Sequence, residues 1–223
     1  MGLVSTSYLS KTLSDSNRRT FTFSTWLKIP SDINDAQNLF ASAYTNSNGT
    51  FMFMGFDHVN MIHIQSYVSS SMILNIRTTR KLQDASSWYH LVYRVDTTQS
   101  TAANRIRIYV NGEDAETTLD ANTIPSQNSE LGMNTNVEHR IGNFAGLNRA
   151  FYGLLAHTHF ADGQSYAPST FGEFDSTTNE WKAKLNPSVT YGTNGFFLKY
   201  ENAGNFGLDS SGQSNNMATS GTF

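Results

Sequence analysis

Two runs of alternating side chains near the middle of the chain constrain everything around them. In Trp88–Asp96, the residues Tyr89, Leu91, Tyr93 and Val95 alternate with Trp88, His90, Val92 and Arg94. In Arg105–Glu113, Ile106, Ile108 and Val110 alternate with Arg105, Arg107 and Tyr109. A period of two in β-branched and aromatic residues belongs to a strand with two unlike faces. Asn111-Gly112 then supplies a pair that tolerates positive φ in a tight hairpin, so the chain should turn back at once into Glu113–Thr118. Two long strands and a hairpin make the centre of a sheet, and the other segments read as strands added to it.

Thr20–Ile29 repeats the pattern with Phe21, Phe23, Leu27 and Ile29 on one face, and Pro30 ends it because proline cannot donate to a ladder. Asn38–Tyr44 and Thr50–Phe56 flank a hairpin loop, Thr45–Gly49. Asp57–Asn60 leads into Met61–Tyr67, and Val68–Ser71 into Met72–Arg77. Glu138–Gly142, Gly153–Ala161 and Gly195–Tyr200 complete the set. Short strands at about ten-residue spacing, with turn chemistry between them, predict an antiparallel sandwich. Pro125–Asn136 is polar and aperiodic and reads as a long surface loop. Ser169–Lys184, opening at Pro168-Ser169, is the only place for a short helix. A glycine- and asparagine-rich tail follows Tyr200. With no internal repeat or linker, residues 1–223 read as one all-β domain.

Composition narrows the function. A chain of 223 residues without cysteine has no disulfide framework, thiolate metal site or cysteine nucleophile. It is long enough to bury roughly 70% of its unfolded surface without a staple. Charged residues make up only 15%, against about 25% ordinarily, and serine, threonine and asparagine carry the polar surface. The 15 basic residues are scattered and the net charge is −3, so a nucleic-acid partner is not expected. No basic amphipathic segment and no apolar run near ~20 residues points to a membrane. The N-terminus lacks the basic and apolar regions of a secretory signal, although Gly2 and Thr6 fit the loose myristoylation pattern.

Three segments resemble a known family. Trp88–Val92 followed by Ile108–Gly112, then Arg140–Asn143 through Phe151–Gly153, and finally Leu208–Asn216, are similar to strings of laminin-G-like domains. That resemblance implies a concanavalin-A-like jelly roll of two antiparallel sheets. Further strings resemble domains of tail-fibre-like and other structural proteins of tailed bacteriophages: Tyr8–Thr12, Asn17–Trp26, Ala161–Gln164, Pro168–Phe174 and Tyr191–Leu198. They imply a virion component with capsid or tail proteins as partners. Two departures stand out. The strand Leu155–Phe160 lacks the carboxylates usual there, and the turn at Asp209 closes the chain instead of opening it.

Five candidate sites follow. Glycoside hydrolysis on this fold needs two carboxylates about 5–9 Å apart. The nearest set, Glu113, Asp114 and Glu116, directly follows a turn and reads as a solvated hairpin end. His157 and His159, two apart on a strand, point the same way and could share an ion, but two nitrogens leave a zinc site incomplete. The alternative puts Leu154, Ala156, Thr158 and Phe160 in the core and the histidines outside it. The resemblance places His90 in a covered strand as a hydrogen-bonded core residue. It also implies calcium at the sandwich rim, with Asp57, Asn143, Asp162 and Asp209 as contributors; no other cofactor is expected. Glycan binding needs exposed ring faces beside amides and carboxylates on loops, which Tyr44, Phe56, Asp57, His58, Tyr67 and Trp181 could supply. The expectation is a non-enzymatic virion protein, a fibre, head-fibre or capsid decoration module, that adheres to host-surface glycans and forms a closed homo-oligomer such as a trimer. The alternatives are a free carbohydrate-binding module and a polysaccharide hydrolase or lyase.

Overall fold

The computed structural model describes residues 1–4, 6–31, 35–44, 49–115, 123–145 and 149–223. In chain order the strands are β1 (Tyr8–Thr12), β2 (Thr20–Lys28), β3 (Gln37–Ser42), β4 (Phe51–Phe56), β5 (Met61–Val68) and β6 (Ser71–Lys81). Then come β7 (Tyr89–Asp96), β8 (Ile106–Val110), β9 (Glu113–Asp114), β10 (Glu138–Ile141) and β11 (Leu154–Asp162). The last are β12 (Gly172–Phe174), β13 (Trp181–Ala183), β14 (Phe196–Leu198) and β15 (Ala218–Ser220). The larger sheet has the order β15-β1-β10-β3-β4-β5-β6, and the smaller one β14-β11-β2-β7-β8-β9. All named pairings within them are antiparallel. The chain is therefore the all-β antiparallel sandwich that the alternation predicts, in the two-sheet jelly-roll form that the resemblance implies.

The core lies between the sheets and takes every second side chain from each. Phe21, Phe23 and Leu27 of β2, Leu91, Tyr93 and Val95 of β7, and Met52, Met54 and Phe56 of β4 all belong to it. Phe40 is its hub, stacked on Phe23 at 5.2 Å and edge-on to Phe160 at 5.2 Å and Phe196 at 5.7 Å. Burying each such side chain stabilises the fold by roughly 1.5–3 kcal/mol before chain entropy is counted. Tyr93 crosses the core, and its hydroxyl donates to the Gly55 carbonyl at 3.0 Å. At the β8–β9 hairpin both Asn111 (φ 51°) and Gly112 (φ 83°) occupy the left-handed region, as that turn requires. Of the predicted return strand Glu113–Thr118, the first two residues form β9, and residues 116–118 lie outside those described.

Three expectations fail for identifiable reasons. Ser169–Lys184 is not helical. After a single 3-10 turn at Pro168–Thr170 it forms the β12–β13 hairpin. Asp175 sets that turn: its Oδ1 accepts from the backbone N–H groups of Thr177 and Thr178, the local competition that keeps aspartate out of helix interiors. Pro125–Asn136 is not a surface loop throughout, because Leu131, Met133 and Asn134 are fully buried. Gly132 lies so close to β4 that a Cβ there would sit 2.3 Å from the Phe51 backbone. Gly195–Tyr200 does not hold the last strand: within the glycine- and asparagine-rich tail, β15 pairs with β1 and lies beside it.

Candidate functional site

Because Met52, Met54 and Phe56 point into the core, Phe51, Phe53 and Gly55 of β4 face the opposite way. Register then assembles the outer face of the larger sheet. Phe51 lies opposite Tyr67, Phe53 opposite Ala41 and Gln65, and Gly55 opposite Asn38 and His63. One strand further, Gln65 faces Asn75 and His63 faces Arg77. Gly55 admits no side chain, since a Cβ would lie 2.0 Å from the Gln37 carbonyl oxygen where β3 bulges between Asn38 and Phe40.

One end of this face is aromatic. Phe51 stacks on Tyr67 at 4.7 Å, takes the edge of Tyr44 at 5.2 Å and leans on Phe144 at 5.5 Å. Phe144 also packs on Phe53 at 5.8 Å. Above the strip opens a cleft of about 270 Å³ lined by Tyr44, Gly49, Phe51, Tyr67 and Ser70. Tyr44 is 42% exposed and Tyr67 half-buried, so ring surface and hydroxyl groups meet solvent together. The cleft wall is held tightly: Ser69 (φ 49°) and Ser70 (φ 64°) turn the β5–β6 hairpin, and Ser70 N–H donates to the Gly49 carbonyl at 3.0 Å. Such a surface can stack an apolar ligand face and hydrogen-bond its rim; the described lining carries no carboxylate.

The other end is polar and cationic. The Phe53 ring takes His63 edge-on at 5.0 Å and the Arg149 guanidinium at 5.7 Å. His63 Nε2 donates to Asn75 Oδ1 at 2.8 Å. Burial, aided by the charges of Arg77 and Arg149 and opposed by the Asn75 hydrogen bond and the Asp57 charge, lowers the His63 pKa to about 4, so the ring is neutral at pH 7. Arg77 Nε stands 3.7 Å from Asp57 Oδ2, too far for a hydrogen bond. Both of those atoms are buried without a hydrogen-bond partner, and so are Oδ1 and Nδ2 of Asn38.

Of the predicted glycan residues, the structure brings Tyr44 and Tyr67 together in the cleft. Asp57 belongs to the polar end, and its Oδ1 accepts from the N–H groups of Val59 and Met61. His58 is exposed on the adjoining turn and lines no part of the cleft. Phe56 corrects the expectation: it is 0% exposed, a core residue with no free face. Trp181 does not join Tyr44 and Tyr67, for it lies against the smaller sheet. There its Nε1 donates to His90 Nδ1 at 3.0 Å, and it lines a separate open cleft with Tyr109, Pro168 and Phe174. His90 is fully buried, its Nε2 2.8 Å from Ser24 Oγ, and burial lowers its pKa to about 3.

The histidine pair is not aligned. β11 bulges between Ala156 and His159, and His157 takes a φ of 46° there, so the alternation breaks between the two imidazoles. His159 is buried and stacked on Phe197 at 3.9 Å, its Nδ1 2.8 Å from the Tyr191 hydroxyl; burial holds its pKa well below 6.5. The core alternative also shifts: Thr158 and Phe160 are buried, Leu154 is exposed, and Leu155 takes the inner place.

The four proposed calcium contributors come from four separate stretches of the chain. Asp57 and the buried Asn143 follow β4 and β10. Asp162 accepts from Ser16 Oγ at 2.6 Å, Asn134 Nδ2 at 2.9 Å and Asn194 N–H at 3.1 Å. Asp209 accepts from the N–H groups of Phe197, Ser211 and Asn215. Among the described residues no three carboxylate or imidazole groups converge as a metal site would require. Glu113 at the β9 hairpin end lies 3.6 Å from Arg80 in an exposed pair. Sequence reasoning missed Phe51, Phe53, His63, Asn75, Arg77, Phe144 and Arg149. The available signal was Phe51-Met52-Phe53-Met54, a strand without a polar face, which implies cover on both sides.

Comparison with known proteins follows the architecture. No curated protein matches the chain. Among solved structures, a putative carbohydrate binding protein from Bacteroides ovatus superposes with a TM-score of 0.55 at 14% identity, covering 96% of this chain and 56% of that one. The native heptameric SAP-like pentraxin from Limulus polyphemus superposes with a TM-score of 0.53 at 14% identity, covering 82% of this chain and 87% of that one. At this identity the likeness is one of fold. A family model described as the concanavalin A-like lectin/glucanases superfamily matches residues 4–164. Together with the two-sheet sandwich, that match assigns the chain to the concanavalin A-like lectin/glucanases superfamily, as a laminin-G-like domain.

Proposed function

We propose that the chain is a non-catalytic attachment module of a virion and that it engages a host-surface glycan through the outer face of its larger sheet. The observation that carries the glycan half is the Tyr44–Phe51–Tyr67 cleft, where stacked rings and hydroxyls stand open on a rigid sheet. Pyranose rings present apolar C–H faces rimmed by hydroxyls, and a surface of this chemistry suits them. The solved likeness to a putative carbohydrate binding protein supports the same reading. The virion half is supported by the strings Tyr8–Thr12, Asn17–Trp26 and Pro168–Phe174 and by the weakly charged surface. Docking on capsid or tail proteins and a closed homo-oligomer belong to this reading.

Two measurements test it. The chain should be found by mass spectrometry in purified particles, and its absence from them would leave a free carbohydrate-binding module. The isolated chain should bind members of a glycan array, with binding weakened by Tyr44→Ala and Tyr67→Ala. An unchanged array profile in both variants would remove the cleft from the function. Cleavage of a bound glycan, abolished by changing one carboxylate, would replace the reading with a hydrolase or lyase.

A further inference from the structure

The polar end of the same face contains more than a glycan cleft needs. Arg77 and Arg149 both act on His63, and Arg149 lies over the Phe53 ring that closes the aromatic strip. Asp57 is the only carboxylate among the described residues found to act on this group, and it faces Arg77 at 3.7 Å without a hydrogen bond. With His63 neutral, two guanidinium groups face one carboxylate, which leaves one positive charge uncompensated. Arg149 forms no ion pair among the described residues. In the same register row, the Asn38 carboxamide is 1% exposed with neither polar atom bonded. Leaving one buried polar atom unpaired costs about 1–3 kcal/mol, and native folds keep few of them. Here Asn38 Oδ1 and Nδ2, Arg77 Nε and Asp57 Oδ2 are gathered at one end of one sheet face.

Two of these atoms donate and two accept, but the guanidinium groups of Arg77 and Arg149 add further donors and give the end a net positive charge, the arrangement that recognises an anion. It adjoins the stacking surface: Phe51 and Phe53 both touch Phe144, so ring contacts run without a break from Tyr67 to the Phe53 ring under Arg149. Along β4 the distance from Phe51 to Gly55 is four residues, about 13 Å of strand. We propose that this end is an anion subsite, and that the glycan stacked at Tyr44 and Tyr67 is acidic, with a carboxylate or sulfate held by Arg149 and Arg77. The inference rests on reading this face as a glycan site and goes one step further, to the class of glycan.

An array holding uronic-acid, sulfated and neutral oligosaccharides tests it with the full chain. The bound members should carry an acid group, and carboxyl-reduced or desulfated versions of them should bind at least tenfold more weakly. Carboxylate and sulfate are told apart by which modification matters. Affinity should fall as salt is raised. Arg149→Gln should bring the acidic glycan down to its neutral counterpart, and Arg149→Lys should retain part of the difference, since lysine keeps the charge and loses the fork. Circular dichroism confirms that the variants fold. Equal binding of acidic and neutralised forms, or a ratio untouched in Arg149→Gln, overturns the anion subsite while the cleft survives. A blank array, or hits insensitive to Tyr67→Ala, overturns the glycan reading itself and the subsite with it.

Discussion

The two outer faces of this sandwich carry similar residues but differ in how their buried polar groups are bonded. On the smaller sheet, the chain itself bonds the buried polar groups, although a cleft opens beside Trp181. Trp181 of the β12–β13 hairpin donates to His90, Ser24 bonds the other imidazole nitrogen, and Arg94 Nε donates to Ser165 Oγ at 2.6 Å. Thr22 Oγ1 donates to the Gln164 carbonyl and accepts from Tyr166 N–H. On the larger sheet, a buried histidine and a row of aromatics again lie outside the core, but buried polar atoms of Asn38, Arg77 and Asp57 are left without hydrogen bonds, and a cleft stands open at the opposite end of the face. Buried polar groups that are fully bonded act as structure, whereas a cluster of unbonded ones calls for an account, which the anion subsite supplies here.

Acid should produce the largest effect, and it acts on both faces. His63, His90 and His139 have folded-state pKa values of about 4, 3 and 4, each lowered chiefly by burial from an unfolded value near 6.5. The unfolded chain therefore takes up protons first as pH falls. Stability is whole above pH 6.5 and is lost between there and about pH 4, on the order of 3 kcal/mol for each histidine. Urea midpoints measured from pH 7 to pH 4 should drop steeply; a flat profile would show that these rings are not held neutral.

Next in size, Trp181→Ala should cost roughly 3–5 kcal/mol of stability, because it empties the slot between Gly112 and Gly172 and leaves His90 Nδ1 without its donor. Per folded molecule it should leave glycan affinity unchanged, and a binding defect in this variant would mean that the two faces are not separate in role. Tyr67→Ala should do the reverse. Affinity falls about tenfold, in keeping with the ~1.4 kcal/mol of a well-placed ring, while the denaturation midpoint moves far less than in Trp181→Ala. The smallest effect is expected from a chelator. Asp162 and Asp209 are already saturated by protein donors, so EDTA should leave the melting temperature where it was, and a fall would reveal an ion that their hydrogen bonds do not suggest.

The sheets were legible in the sequence because alternation is a local signal. Trp88–Asp96 and Arg105–Glu113 became β7 and β8 with the predicted faces, and Asn111-Gly112 made the predicted turn. What was not legible depended on contacts distant in sequence. Leu131 and Met133 sit in a polar, aperiodic stretch and are buried only because the loop folds back against β4. β12 and β13 are three residues each, too short for a period to show. At the site, Tyr44 and Tyr67 were found from their places beside loops. Phe56 was misread because a residue at a strand end can point either way, and its direction is set by the β4–β5 register. Arg149 is placed by Phe53 and Arg77 by the β5–β6 register with His63, neither of which any motif announces.

The Tyr93 hydroxyl has a consequence for binding. It reaches through the hydrophobic interior from the far layer and grips Gly55 under the very row that carries His63 and Arg77, with the His63 carbonyl 3.5 Å away. Desolvation keeps that phenol protonated far beyond ordinary alkalinity, so the grip does not loosen with pH. The floor of the candidate site is thus braced from behind by a layer that no ligand bound there would meet. A platform fixed in this way gives up little freedom on capture, and the empty and occupied backbones should superimpose.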